Sequence, residues 1–81
     1  MFSVYILYSI SHDRYYIGQT QNMDERLKRH NDKREKATAT FAPWTLILRI
    51  EKNSRAEAVI LERKLKNLNR QRLLQFIDKY A

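Results

Sequence analysis

No cysteine occurs in this chain of 81 residues, so its fold must rest on apolar packing and hydrogen bonds alone. The length is near the lower limit at which a core holds without disulfide or metal staples. That predicts one domain, residues 1–81, built from a small sheet and a few helices. The same absence rules out thiolate zinc sites, and with nothing that requires an oxidising compartment the expected location is the cytoplasm. The opening MFSVYILYS is apolar but has no basic n-region and no small-residue cleavage site, and charges interrupt every later apolar run. Neither a signal peptide nor a membrane span is expected.

Phe2 to Ser9 alternates as a strand, with apolar side chains on both faces, which predicts cover on both sides. Ser11, His12 and Asp13 supply a turn, and Arg14 to Thr20 reads as a second strand in a hairpin. A register that pairs residue i with about 23 minus i puts Tyr5, Tyr16 and Gly18 on one face and Tyr15 on the other. Gly18 is the chain's single glycine, and a glycine inside a strand marks a bulge or a close approach to the backbone. Asn22 with Glu25 forms a capping box for a helix reaching about His30 or Asn31. Its apolar stripe is only Met23 and Leu27, so Arg26 and His30 are expected at the border of core and solvent.

Asp32 to Ala42 lacks periodicity and reads as a mobile loop ended by Pro43. Trp44 to Glu51 predicts a third strand with Leu46, Leu48 and Ile50 on one face. Asn53 or Ser54 caps a helix to about Leu68 with Ala58, Leu61, Leu65 and Leu68 buried, and a last helix turns Leu73, Phe76, Ile77 and Tyr80 inward. The expected class is α+β in the order ββαβαα, a three-stranded, mostly antiparallel sheet flanked by helices. A formal charge of +7 suits a polyanionic partner. Of the 16 basic residues only Arg14 precedes Arg26, so the basic character lies in the helices and loops.

Each polar residue has an ordinary structural explanation. Strand tyrosines pack well, an Arg and His one helical turn apart make a basic face, and Glu62 with Lys66 is a favourable i,i+4 pair. Glu62 also adjoins the Ala58 and Leu61 stripe, and a carboxylate at a core edge is a candidate ligand for Mg²⁺, which keeps several waters and accepts phosphate oxygens. The order of the residues adds more. Ser3-Val4-Tyr5 is followed by Tyr16-Ile17-Gly18-Gln19-Thr20, then Asn22, Arg26 and His30-Asn31, then Lys36-Ala37-Thr38 through Pro43-Trp44, and finally Ala58, Glu62 and Lys66. In this succession, across nearly the whole chain, the sequence resembles the GIY-YIG nuclease superfamily, in its small single-domain branch related to the nuclease module of bacterial excision-repair enzymes. Ser3 stands where the family's name has glycine.

The resemblance implies an endonuclease that hydrolyses DNA phosphodiester bonds in repair or processing, with Mg²⁺ or Mn²⁺ as cofactor. It assigns water activation to Tyr16, a neighbouring place in the site to Tyr5, phosphate charge to Arg26, proton transfer or phosphate binding to His30, and the single metal to Glu62. Nucleic-acid contacts are expected from Gly18, Arg29, Lys36, Thr38 and Lys66. The asparagine that many members carry after the metal-binding helix has two candidates here, Asn67 and Asn69. No second domain for targeting is expected, and a protein partner that brings the domain to branched or damaged DNA fits the same picture. Two alternatives stand beside it: a basic nucleic-acid-binding module of the same fold with little catalysis, and an interaction scaffold using Trp44 and Tyr80 as surface anchors.

Overall fold

The computed structural model describes every residue from Met1 to Ala81. Strand β1, Phe2–Ser9, lies between β2, Arg14–Thr20, and β3, Thr45–Lys52, in an antiparallel sheet of order β2-β1-β3. Three helices complete the ββαβαα order: α1 (Met23–Asn31), α2 (Arg55–Lys66) and α3 (Arg70–Tyr80). Each begins on a side-chain cap that accepts a backbone N–H, from Asn22, Ser54 and Asn69 respectively. Of the two residues proposed to cap α2, Ser54 does so. No helix is long and apolar enough to cross a membrane.

The central strand is buried on both faces, as its doubly apolar pattern requires, and two separate cores result. Val4, Ile6, Ile17 and Leu48 pack against Ala58, Leu65 and Leu73 of α2 and α3. Tyr5 and Leu7, on the opposite face, pack against Met23 of α1 and Trp44, with Tyr16, Leu27 and Phe41 beside them. The hairpin register pairs Ser3 with Thr20 and Tyr5 with Gly18, so the inferred face-sharing of Tyr5, Tyr16 and Gly18 holds.

Four expectations are corrected. Leu46 does not share a face with Leu48, because the β1–β3 register shifts between Ile6 and Leu7; Leu46 joins the Tyr5 core while Leu48 and Ile50 join the other. The Asp32–Ala42 segment is a folded connection containing a turn of 3-10 helix, Ala39–Phe41, and it buries Thr38. Tyr80 is exposed, stacked on Phe76 one turn earlier, whereas Trp44 is buried and anchors no external surface.

Candidate active site

Gly18 explains the arrangement on the α1 face. A Cβ built on it would lie 2.5 Å from the Tyr5 hydroxyl oxygen, 2.7 Å from Cζ and 3.2 Å from Cε2 of Tyr16. The close approach that a strand glycine signals is therefore made from inside, by the Tyr5 ring lying across the backbone of β2. Gly18 is buried beneath that ring, which corrects its assignment as a nucleic-acid contact.

Tyr5 is fully buried, and its hydroxyl is 3.0 Å from His30 Nε2. Burial, reinforced by neighbouring Tyr16, pushes the Tyr5 phenol up to about 12 against the opposing pull of the Arg26 guanidinium beside it. Tyr5 therefore keeps its proton near neutral pH and is not a base. His30 is 1% exposed, and its Nδ1 lies 2.8 Å from the Thr38 hydroxyl. Burial holds its pKa below the usual histidine value, Glu35 opposing and Arg26 and Arg29 adding to the shift, so the ring is neutral. With both nitrogens engaged by buried partners, His30 does not reach a phosphate. It is a core residue and not a border one. Thr38 likewise touches no external ligand, since it is 1% exposed and its hydroxyl serves His30.

Tyr16 differs from Tyr5. Its ring is half-buried, packed 5.0 Å from His30, 6.3 Å from Tyr5 and 6.2 Å from Trp44 between centroids, and no protein group holds its hydroxyl. Three aromatic neighbours thus fix the ring while its polar end stays free for an external partner. Arg26, half-buried on α1, lines a polar groove of about 400 Å³ together with Gln19, Thr20, Asn22 and Arg55. Arg29 borders a smaller recess with Arg26 and is paired with Glu35 at 3.1 Å; Lys36 is exposed.

Glu62 approaches from the other side of the sheet, because α2 packs on the Ile17 face and Gln19 alternates onto that face. The Glu62 side chain is only 17% exposed; Oε1 accepts from Gln19 Nε2 at 3.4 Å, and Oε2 lies 3.3 Å from the Lys66 ammonium. It makes no hydrogen bond to either tyrosine, to Arg26 or to His30. The two sets of residues lie on opposite faces of β2, and Gln19 stands between them. Gln19 touches Glu62 and lines the Arg26 groove, while Tyr16 and Lys66 line a second, more apolar groove of about 410 Å³. No three His, Cys, Asp or Glu side chains cluster tightly enough to enclose a metal. A divalent ion here would have one protein carboxylate, Glu62.

Arg55 is not among the residues singled out in the sequence, and Gln19 appears there only within its motif, with no role assigned. Gln19 was detectable, since it follows Ile17 by two positions and must face α2. Arg55 was not, because only the packing of α2 brings it to the groove. Asn67 forms the C-terminal end of α2 and Asn69 caps α3 through Arg72 N–H, so neither is directed to the site by its hydrogen bonding.

The model of the GIY-YIG catalytic domain matches residues 1–75, and the chain belongs to this nuclease family. Among solved structures it is similar to the UPF0213 protein BH0048 from Bacillus halodurans, determined by solution NMR, at 30% identity and a TM-score of 0.63, covering 96% of this chain and 84% of that one. A comparison with curated proteins finds no match.

Proposed function

We propose that the protein is a divalent-metal-dependent endonuclease that hydrolyses DNA phosphodiester bonds in DNA processing or repair. The observation that carries this reading is the position of Gln19, which links the Glu62 carboxylate to the Arg26 groove around the edge of β2. The donor set fits a lightly held Mg²⁺ or Mn²⁺. Glu62 is mostly enclosed yet its oxygens face only one long amide contact and one flexible ammonium, and such ions are often bound by a single carboxylate plus waters and substrate phosphate. When bound, the ion supplies positive charge at the phosphodiester.

The chain's own residues divide the remaining work. Arg26, with Arg55 across the groove, binds the phosphate and offsets the charge that grows on its oxygens. Tyr16 orients the attacking water through its free hydroxyl and takes part in moving its proton. Tyr5 stays protonated and supports Tyr16 and Arg26 from behind. Lys66, whose side chain is 53% exposed, would contact the DNA backbone, and Arg29 and Lys36 extend the basic path.

The test is nicking of supercoiled and branched DNA with Mg²⁺ or Mn²⁺ by the wild type, Glu62→Gln, Tyr16→Phe and Arg26→Ala. Each substitution is expected to lower cleavage by roughly 10² or more. Cleavage that persists in the Glu62→Gln/Tyr16→Phe double variant removes the assignment. The ion pair of Glu62 with Lys66 favours a second reading, a metal-free DNA-binding module, in which binding is salt-sensitive, unaffected by Glu62→Gln and yields no product.

A further inference from the structure

The mechanism leaves His30 and Thr38, the buried polar groups behind Tyr5, without a task. Thr38 Oγ1 lies 3.3 Å from the Glu35 carbonyl oxygen, His30 Nδ1 2.8 Å from Thr38 Oγ1, and Tyr5 Oη 3.0 Å from His30 Nε2. We propose that Thr38 is a positioning residue whose hydroxyl fixes the His30 proton on Nδ1, so that His30 Nε2 takes the hydrogen bond of Tyr5 and leaves the phenol lone pairs facing Arg26. The sense of the chain follows from its last member. A carbonyl oxygen only accepts, so with the single hydroxyl proton of Thr38 directed to Glu35 its oxygen accepts from Nδ1–H. A neutral imidazole carries one N–H, so Nε2 is an acceptor and Tyr5 must donate. Arg26 has donors only, and beside it the phenol oxygen then presents lone pairs, not a proton.

Thr38 is itself held in place. Its backbone carbonyl accepts from Trp44 Nε1 at 3.0 Å, and the Asn31 side-chain amide bonds both the N–H and the carbonyl of Trp44. Asn31 is the residue next to His30, so the end of α1 and the Glu35–Trp44 connection are fixed to each other at both ends of the chain of hydrogen bonds. Tyr5, His30 and Thr38 are all at most 1% exposed, so water does not compete for these bonds. Thr38 thus acts on the site through His30 and Tyr5 and touches no substrate. The consequence for cleavage rests on the nuclease reading above; the tautomer does not.

The experiment reads the protonated ring nitrogen of His30 by two-bond ¹H–¹⁵N correlation in the wild type, Thr38→Ser, Thr38→Val and Tyr5→Phe, with DNA nicking measured at matched folded fraction. The expected result is Nδ1–H in the wild type and in Thr38→Ser. In Thr38→Val, Nε2–H takes over and nicking falls on the order of 10-fold, while Thr38→Ser retains it. Tyr5→Phe keeps Nδ1–H, because Thr38 and not Tyr5 sets the tautomer, and this arm decides the matter if Thr38→Val does not fold. Nε2–H in the wild type, unchanged Nδ1–H in Thr38→Val, or a switch in Tyr5→Phe overturns the proposal, as does a switched tautomer in Thr38→Val with undiminished nicking. If no protein nicks DNA, the nuclease reading fails, and the tautomers alone decide whether Thr38 sets the chain.

Discussion

Replacing Gly18 by alanine is expected to destabilise this protein, against the usual benefit of removing a glycine from a strand. The usual effect is a gain of roughly 0.5 to 1 kcal/mol, from a stiffer unfolded chain and a better strand former. Here the new methyl would stand 2.5 Å from the Tyr5 oxygen and 2.7 Å from Cζ, distances that real Cβ atoms do not show. The ring has nowhere to go: Tyr5 is fully buried and its hydroxyl is tied to His30 at 3.0 Å. Overpacking of a core costs about 1 to 3 kcal/mol, and breaking the buried hydrogen bond adds about 1 kcal/mol. The net loss is therefore roughly 2 kcal/mol. For a small domain with an m-value near 1 kcal/mol/M, the urea midpoint falls by about 2 M. Tyr5→Phe provides the control, because it removes the nearest clashing atom and a hydrogen bond that Gly18→Ala has already disturbed. In the Gly18→Ala background it should cost about 1 kcal/mol less than in the wild type. A midpoint that is unchanged or raised by Gly18→Ala, or strict additivity of the two substitutions, would refute the contact as the reason for the glycine.

Glu62→Gln should leave the urea midpoint nearly unchanged, within about 0.5 kcal/mol, since its partner is a largely exposed i,i+4 lysine; a larger loss would assign Glu62 a structural role. In alkali, Tyr5 has a folded pKa of about 12 against 10.0 unfolded, so its contribution is whole below pH 10.0 and is lost as pH rises toward 12. Two units correspond to about 2.7 kcal/mol, and Tyr5→Phe should flatten this limb of the stability curve by an amount of that order. In acid the sign reverses: His30 has its pKa held down by burial, so stability is whole above the ordinary 6.5 and falls as pH drops through the folded value, a slope that His30→Gln should remove. Asn31→Ala strips the side-chain partner from both backbone groups of Trp44 and should cost about 1 to 3 kcal/mol, with a red shift in the emission of this single tryptophan.

What the sequence revealed, and what it concealed, follows the range of each interaction. Strands, caps and the hairpin register depend on residues close along the chain, and Tyr5 opposite Gly18 was legible for that reason. The face of Leu46 was not, because a bulge breaks period two without any local sign in Thr45-Leu46-Ile47-Leu48. His30 held a clue: Met23, Leu27 and His30 are spaced i, i+4, i+7, the spacing of one buried stripe, and only its polarity suggested the border. Thr38 held none, since its burial depends on the Asp32–Ala42 segment folding back over α1. Ser3, at the position where the family's name has glycine, turns out to be structural. Its hydroxyl donates to Glu51 at 2.6 Å and accepts from Arg49 Nε at 3.1 Å, which with the Arg49–Glu51 pair holds the Glu51 carboxyl below the usual range.

The division of the proposed site between the two faces of the sheet has a mechanical consequence. The tyrosines and Arg26 are anchored by the core under α1, Glu62 by the core under α2 and α3, and no hydrogen bond joins the two sets directly. Their separation is set by the thickness of β2 and by the outward reach of Gln19. β2 is also an edge strand, the part of a sheet with the fewest partners and the greatest freedom to shift. Gly18 bears on that freedom directly. The Tyr5 ring presses on the strand midway between Tyr16 and Thr20, and the same ring is held through His30 and Thr38 to the far connection. The one glycine thus lets a rigid, hydrogen-bonded core reach through the α1 face and hold the edge strand between Tyr16 and Gln19.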